Sequence, residues 1–383
     1  MIGRLVVTPR ARPPATVRFG VPLGALVVAL GLGALVLLAV GADPFAAYRA
    51  MFDASLKGRA PIERTLTLAT PLILTGLAAA VAFRMRVYNI GAEGQLFVGA
   101  IAASWVGLAL PAGLPAPLML AAFLAGGAVA GALWSGLAAV PKAFLGTDEI
   151  ITTLMLNFVA LALMNYLIFG SMTFWRDPAR PVPQGRKIAE SAELPILSGR
   201  LHAGIVVAVV AAIVLWLVMR STTFGFRLRT IGDSPGAARY AGIAVPVTTL
   251  VVMGISGGLA GLAGAIEIGG VTKSLEPRAL AIELGYTGIV VAAVARMNPL
   301  GVVPVAVFLA AISTSGSSLQ SVGVEVEVVV LLQGLIFLAV TAGEFFVTNR
   351  IGLAPRDTPP SDERPARVDM APVRTTPAAE TVR

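Results

Sequence analysis

Arg84-Met85-Arg86-Val87-Tyr88-Asn89-Ile90-Gly91-Ala92-Glu93-Gly94-Gln95-Leu96 lies between two long apolar runs. It opens with two arginines and then sets two amides, a carboxylate and two glycines against hydrocarbon-length sequence. An unsatisfied polar group in lipid costs roughly 2–7 kcal/mol by transfer estimates, so a plain spanning helix has no cheap place for them. The stretch is either an ordinary polar loop or a polar turn that a membrane bundle encloses. The rest of the chain favours the second reading.

Working outward, the composition decides the class. The chain has 383 residues, 56% of them hydrophobic and only 13% charged, where soluble domains carry roughly 25% charged residues. Mean hydropathy is +0.84. These values describe a polytopic membrane protein and exclude a soluble one. The net charge of +8 does not call for nucleic acid, because Lys and Arg collect on cytoplasmic loops of membrane proteins. With no cysteine, disulfides, thiolate catalysis and cysteine metal sites are excluded. One histidine, His202, leaves little room for a histidine metal site or triad, and no metal is expected.

Runs of about 20 apolar residues, with arginine setting the side of each loop, give ten expected spans. They lie at about 19–42, 65–83, 95–110, 118–140, 149–169, 201–219, 247–267, 284–297, 300–314 and 326–347. The first run follows Arg4, Arg10, Arg12 and Arg18 and is too long for a cleaved signal, so it is read as a retained span. Ten spans put both termini in the cytoplasm, with every arginine-rich loop on one side. The expected fold is an all-α transmembrane bundle. A basic N-terminus covers 1–18, the membrane domain 19–350, and a disordered cytoplasmic tail 351–383. The loop 43–63 and the longer 170–200 are read as external. The spans near 284–297 and 300–314 are short, so one of them is expected to be re-entrant or broken. The glycines at 254, 257, 258, 261 and 264 permit close helix approach.

Few polar residues fall inside these spans, and such residues default to function. Asn89, Glu93 and Gln95 belong to the opening stretch. Glu149, Thr153 and Asn157 are spaced four apart, so they share one helix face. That face would line a solvated path or form a hydrogen-bonded helix seam. Glu267 is either a path residue or a loop carboxylate at the external boundary. Gln320 and Gln333 are read as structural. No proton-relay chain, Walker sequence, HExxH or GxSxG elbow is present, so any ATP hydrolysis must come from another chain. Segment 220–246 carries Arg220, Arg227, Arg229 and Arg239 among small residues. It reads as one or two short interfacial helices that either contact anionic membrane lipid or sit in a groove of a partner.

At this point the residues resemble a family. Tyr88-Asn89-Ile90-Gly91-Ala92-Glu93-Gly94-Gln95 is similar to the signature of ABC importer permeases for branched-chain amino acids, simple sugars and nucleosides. Gly225-Phe226-Arg227-Leu228-Arg229 with Gly232, Ala237-Ala238 and Ala241-Gly242-Ile243 resembles that family's cytoplasmic coupling segment. Ser256-Gly257-Gly258-Leu259-Ala260-Gly261, Gly285-Tyr286-Thr287-Gly288 and Asn298-Pro299-Leu300-Gly301 continue the likeness over residues 65–347. Asp148 to Asn157 looks most like the nucleoside-type members. The chain departs from the pattern at Val294-Ala295-Arg296, where the family has leucine-glycine before the arginine.

The resemblance implies a non-enzymatic transport subunit forming half of a translocation path for nucleosides or related small polar solutes in the cell inner membrane. It implies Asn89, Glu93, Gln95, Glu149, Thr153, Asn157 and Glu267 along the path. Arg227, Arg229, Gly232, Asp233, Arg239 and Gly242 would couple to the ATPase. Implied partners are a second permease, a cytoplasmic ABC ATPase and an extracytoplasmic solute-binding lipoprotein. No cofactor is expected on this chain, ATP being bound by the partner ATPase. A sugar or branched-chain amino acid permease is the alternative, and an ion-coupled secondary transporter or a membrane scaffold the rival class.

Overall fold

Hydrocarbon-length apolar runs have only one way to satisfy their backbone without a closed barrel, which is to form helices. The computed structural model describes residues 4–9, 14–111, 113–170, 172–321 and 323–354. In chain order the elements begin with β1 (Arg4–Pro9), α1 (Ala15–Ala39), α2 (Pro44–Leu56), α3 (Arg59–Arg84), α4 (Ala92–Ala109), α5 (Ala116–Leu145) and α6 (Glu149–Asn165). A short hairpin, β2 (Ile196–Ser198) and β3 (Leu201–His202), precedes α7 (Gly204–Ser221), α8 (Thr223–Asp233), α9 (Pro235–Tyr240) and α10 (Val245–Glu267). The chain closes with α11 (Pro277–Leu280), α12 (Leu284–Val294), α13 (Pro299–Ser321), α14 (Val326–Thr348) and β4 (Asn349–Ala354).

Among the described residues, nine helical stretches are long and apolar enough to cross a membrane. There are ten if Gly24–Ala39 and Pro44–Leu56, bent by 119°, count as one span. The fold is therefore a polytopic helical bundle. Helices α3, α4 and α10 are mostly buried, whereas α5, α6, α7 and α14 leave most of their surface uncovered, as lipid-facing helices do.

The centre is held by backbone proximity. α10 lies so close to α5 and α4 that a Cβ on Gly261 would land on the Gly127 carbonyl and 2.9 Å from Gly131 Cα. A Cβ on Gly264 would strike the Leu96 carbonyl. Ser135 Oγ donates to the Met253 carbonyl at 2.8 Å across the same contact. This is the small-residue packing expected where lipid offers no hydrophobic drive for helix association.

Several boundaries differ from the sequence reading. The span expected at 300–314 is 23 residues long in α13. Past 314 the serines stay in the helix, Ser315 Oγ and Ser318 Oγ donating to the Ile312 and Ser315 carbonyls of the same helix, each at 2.6 Å. The span expected at 284–297 is the broken one. α11 and α12 are separated by residues 281–283, with Glu283 at φ 59°. Glu267 is not in a loop, because π-helical turns carry the rod on from α10 to Thr272. The loop expected at 43–63 contains α2 and the first turn of α3, with Asp43 capping α2 through the Phe45 N–H at 2.9 Å.

The two ends of the chain also depart from the expected division at 18 and 351. β1 pairs antiparallel with β4 from Arg4↔Ala354 to Pro9↔Asn349, and α1 already begins at Ala15. Residues 4–9 and 349–354 therefore lie side by side. The tail from 355 lies outside the described residues.

Glycine identity at the α4–α5–α10 contact should dominate stability. Gly261→Ala pushes a methyl into backbone, an overpacking that costs about 1–3 kcal/mol. Gly254, with nothing within 4 Å of a Cβ, should accept alanine without loss. Thermal unfolding of the two variants in detergent checks the contrast.

Candidate functional site

The opening stretch does what a spanning helix cannot. After α3 the chain reverses through Arg86 at φ 57°. Residues 87–90 then run outside any helix or strand until α4 begins at Ala92. Buried backbone outside helices in a membrane protein must find its partners in side chains. Here α6 supplies them. Glu149 Oε1 accepts the Tyr88 N–H at 3.1 Å, and Thr153 Oγ1 accepts the Ile90 N–H at 3.2 Å. Asn157 Nδ2 donates to the Ile90 carbonyl at 2.9 Å, while its Oδ1 accepts the Gly94 N–H at 2.9 Å. Lys142 Nζ neutralises Glu149 at 2.5 Å.

The amides of the stretch close the other side. Asn89 Nδ2 donates to Gln95 Oε1 at 2.9 Å and to Ser256 Oγ of α10 at 2.8 Å. Ser256 Oγ in turn donates to the Ala78 carbonyl of α3 at 2.7 Å. Glu93 Oε2 accepts the Gly285 N–H at 2.5 Å, so a carboxylate from α4 caps the buried N-terminus of the half-helix α12. Asn89, Glu93, Gln95, Glu149, Thr153 and Asn157 are all buried. The structure thus gathers these six into one hydrogen-bonded knot joining α3, α4, α6, α10 and α12.

Glu267 stands apart, at the C-terminal end of α10, about three turns beyond Ser256. It lines a cavity of about 690 Å3 with Arg64, Thr67, Arg200, Ile282 and Thr314. Among the described residues no hydrogen-bond or ion-pair partner is found for the Glu267 carboxylate, and Thr314 Oγ1 is buried without one. The walls come from α3, the β2–β3 turn, the end of α10, the α11–α12 break and α13. The rim is tied down. Glu63 accepts from Arg59 Nε at 2.9 Å and from Ser198 Oγ. Thr67 Oγ1 donates to the Arg200 carbonyl at 3.2 Å.

The arginine segment folds as the helical elbow α8–α9. Thr222 and Ser234 cap the two helices through the Gly225 and Ala237 N–H groups, each at 3.3 Å. Gly225 and Gly232 are buried against the Met219 and Arg84 carbonyls, where any Cβ would clash. Arg229 also turns inward, its Nη1 donating to the Met219 carbonyl at 2.5 Å. Arg227, Asp233, Arg239 and Gly242 are exposed. Tyr240 beside them is 97% exposed, a large aromatic presented to the surroundings. The elbow thus divides the expected coupling residues into an inner pair and an outer four.

The family model described as branched-chain amino acid transport system / permease component matches residues 62–341. The chain belongs to this family. Its relatives include the glucose ABC transporter permease TsgB13 of Haloferax volcanii, 35% identical over 91% of this chain and 94% of the relative. The guanosine ABC transporter permease NupP of Bacillus subtilis is 37% identical over 84% of this chain and 92% of the relative. The nucleoside ABC transporter permease NupB of Lactococcus lactis is 30% identical over 84% and 90%. A weaker likeness, 26% over 64% of this chain and 78% of the relative, joins it to a second guanosine permease of B. subtilis, NupQ. The chain is a multi-pass membrane permease subunit of an ABC importer.

Sequence reasoning on this permease missed Ser256, Tyr286 and Lys142, whose roles depend on partners far along the chain. Tyr286 OH accepts from Asn157 Nδ2 at 3.1 Å. It also missed the cavity lining of Arg64, Arg200 and Thr314. Only the fold brings Arg64 and Arg200 to Glu267.

Asn157→Leu removes partners from the Gly94 N–H and the Ile90 carbonyl together. Each buried orphan costs about 1–3 kcal/mol, so the variant permease should unfold at markedly lower temperature in detergent. Asn157→Gln, which keeps the amide, should lose less.

Proposed function

We propose that this permease subunit imports nucleosides, and that the cavity at Glu267 forms its share of the solute path. The observation that carries this reading is the Glu267 carboxylate and the Thr314 hydroxyl, neither with a partner among the described residues, both lining a cavity of about 690 Å3, within the usual 300–1,000 Å3 of small-molecule sites. A carboxylate can accept from two neighbouring hydroxyls at once, and a ribose ring presents such a pair. The guanosine and nucleoside specificities of NupP and NupB support a nucleoside. The glucose specificity of TsgB13 supports a second reading, since hexose hydroxyls would satisfy the same groups.

In this reading a second permease completes the path, as two guanosine permeases in one organism suggest. An extracytoplasmic binding lipoprotein delivers solute at the cavity end. A cytoplasmic ABC ATPase binds ATP and grips the exposed side of α8–α9. The mechanism is alternating access between two packings of the bundle. ATP supplies the differential free energy that a passive path lacks.

Co-reconstitution with the neighbouring permease, ATPase and binding protein tests the reading through ATP-driven uptake of labelled guanosine and of glucose. Uptake of guanosine but not glucose is expected, and uptake independent of ATP would overturn it. Glu267→Gln should raise KM for guanosine about 10-fold or more, as loss of a charged hydrogen bond does, with membrane abundance held. Arg227→Glu combined with Arg239→Glu should insert normally yet abolish stimulation of ATP hydrolysis by loaded binding protein.

A further inference from the structure

A second cleft lies at the other end of α3 from the Glu267 cavity. It opens at the arginine-bearing end, between the last turns of α3 and α7 and the inner side of α8. Its volume is about 440 Å3, and Arg84, Trp216, Met219, Arg220, Arg229 and Asn298 line it. Three guanidiniums share this space, and no carboxylate lines it. None of the three takes part in an ion pair among the described residues. The C-termini of α3 and α7 both face the cleft, each worth about half an elementary charge. Together they offset about one of the three positive charges. The remaining positive charge favours an anion in the cleft.

Two of the three cations are held in place before any ligand arrives. Arg220 lies over the Trp216 ring, 5.0 Å from its centroid. Arg229 is fixed by its bond to the Met219 carbonyl. The planar guanidinium fork matches phosphate oxygens. The cleft also sits where two spans end, the level at which tryptophan marks the membrane boundary and basic pockets take phospholipid headgroups. Leu217 and Ile213 lie three and seven residues before Arg220, on the same helical face, and both are exposed. An apolar track therefore leads from the cations along the outside of α7.

We propose that this cleft binds the phosphate of an anionic phospholipid, with Arg84, Arg220 and Arg229 on the headgroup and Ile213 and Leu217 along an acyl chain. This assigns Arg229 to lipid, while Arg227 and Arg239 remain on the outer side of the elbow. The site does not depend on which solute is carried.

The test uses the full chain with Trp105, Trp134 and Trp175 changed to Phe, in phosphatidylcholine vesicles. At equal mole fraction, brominated phosphatidylglycerol should quench Trp216 emission several-fold more than brominated phosphatidylcholine. Arg84→Gln with Arg220→Gln should make the two lipids equal. Equal quenching in the parent chain would overturn the proposal. So would a preference erased by millimolar inorganic phosphate, which would assign the cleft to a soluble phosphate compound. If the double variant keeps its lipid preference but no longer co-purifies with the ATPase, the arginines serve protein docking and the proposal fails. Phospholipid retained by the purified chain with all its tryptophans gives an independent reading by mass spectrometry. Phosphatidylglycerol should be enriched over the bulk membrane and lose that enrichment in R84Q/R220Q; no enrichment counts against the site.

Discussion

A helix with one polar residue every four positions offers a partner about every 6.0 Å along its axis. An extended chain presents same-side backbone groups about every 6.6 Å. These two periods nearly coincide, and α6 uses the match. Glu149 and Thr153 meet the N–H groups of Tyr88 and Ile90, and Asn157 bridges the Ile90 carbonyl and the Gly94 N–H. The ladder gives an unwound segment of a membrane bundle partners for the Tyr88 and Ile90 N–H groups and the Ile90 carbonyl. Without it the chain between Arg84 and Ala92 would have to leave the bundle or become helical, and α4 could not start where it does.

That starting point positions the rest of the interior. Because α4 begins beside the half-helix α12, Glu93 can cap the N-terminus of α12, and α12 can be short. The α11–α12 break then opens at the wall of the cavity, where Ala279 and Ile282 contribute. Close approach of α10 to α4 and α5 brings Ser256 to Asn89 and sets Glu267 at the far end of the same rod. The knot and the cavity are therefore two consequences of one packing arrangement rather than separate features.

Most of the architecture was legible in the sequence, since apolar length and arginine placement are local properties. The spacing of Glu149, Thr153 and Asn157 announced a shared face, and the knot is where that face leads. Whether the face met water or backbone could not be read, because the answer depends on Tyr88 and Ile90, some sixty residues earlier. The inward turn of Arg229 was hidden for a related reason. It lies two residues from Arg227, which places them on nearly opposite sides of α8, yet sequence alone does not say which side is buried. The hydrogen bond from Arg229 Nη1 to the Met219 carbonyl settles it. The α13 boundary failed because hydroxyls lower apparent hydropathy while bonding within their own helix.

Two buried rods connect the elbow to the cavity. α3 runs from the Arg84 carbonyl, against which Gly232 packs, to Arg64 and Thr67 at the cavity. α10 leaves the elbow at Val245 and reaches Glu267. The bond from Ser256 to the Ala78 carbonyl cross-ties them, so a push at the elbow moves both rods together. Relative motion must then be taken up elsewhere. Thr75 Oγ1 lies 3.0 Å from both the Pro71 and the Leu284 carbonyls, so its one proton can go to its own helix or to the start of α12. Pro71 has already removed one hydrogen bond from α3 at that level. The break at 281–283 is a wall of the cavity that no regular helix spans. In the proposed import cycle, displacement of the elbow reaches the solute through this break, while the glycine-packed contact of α4, α5 and α10 stays fixed.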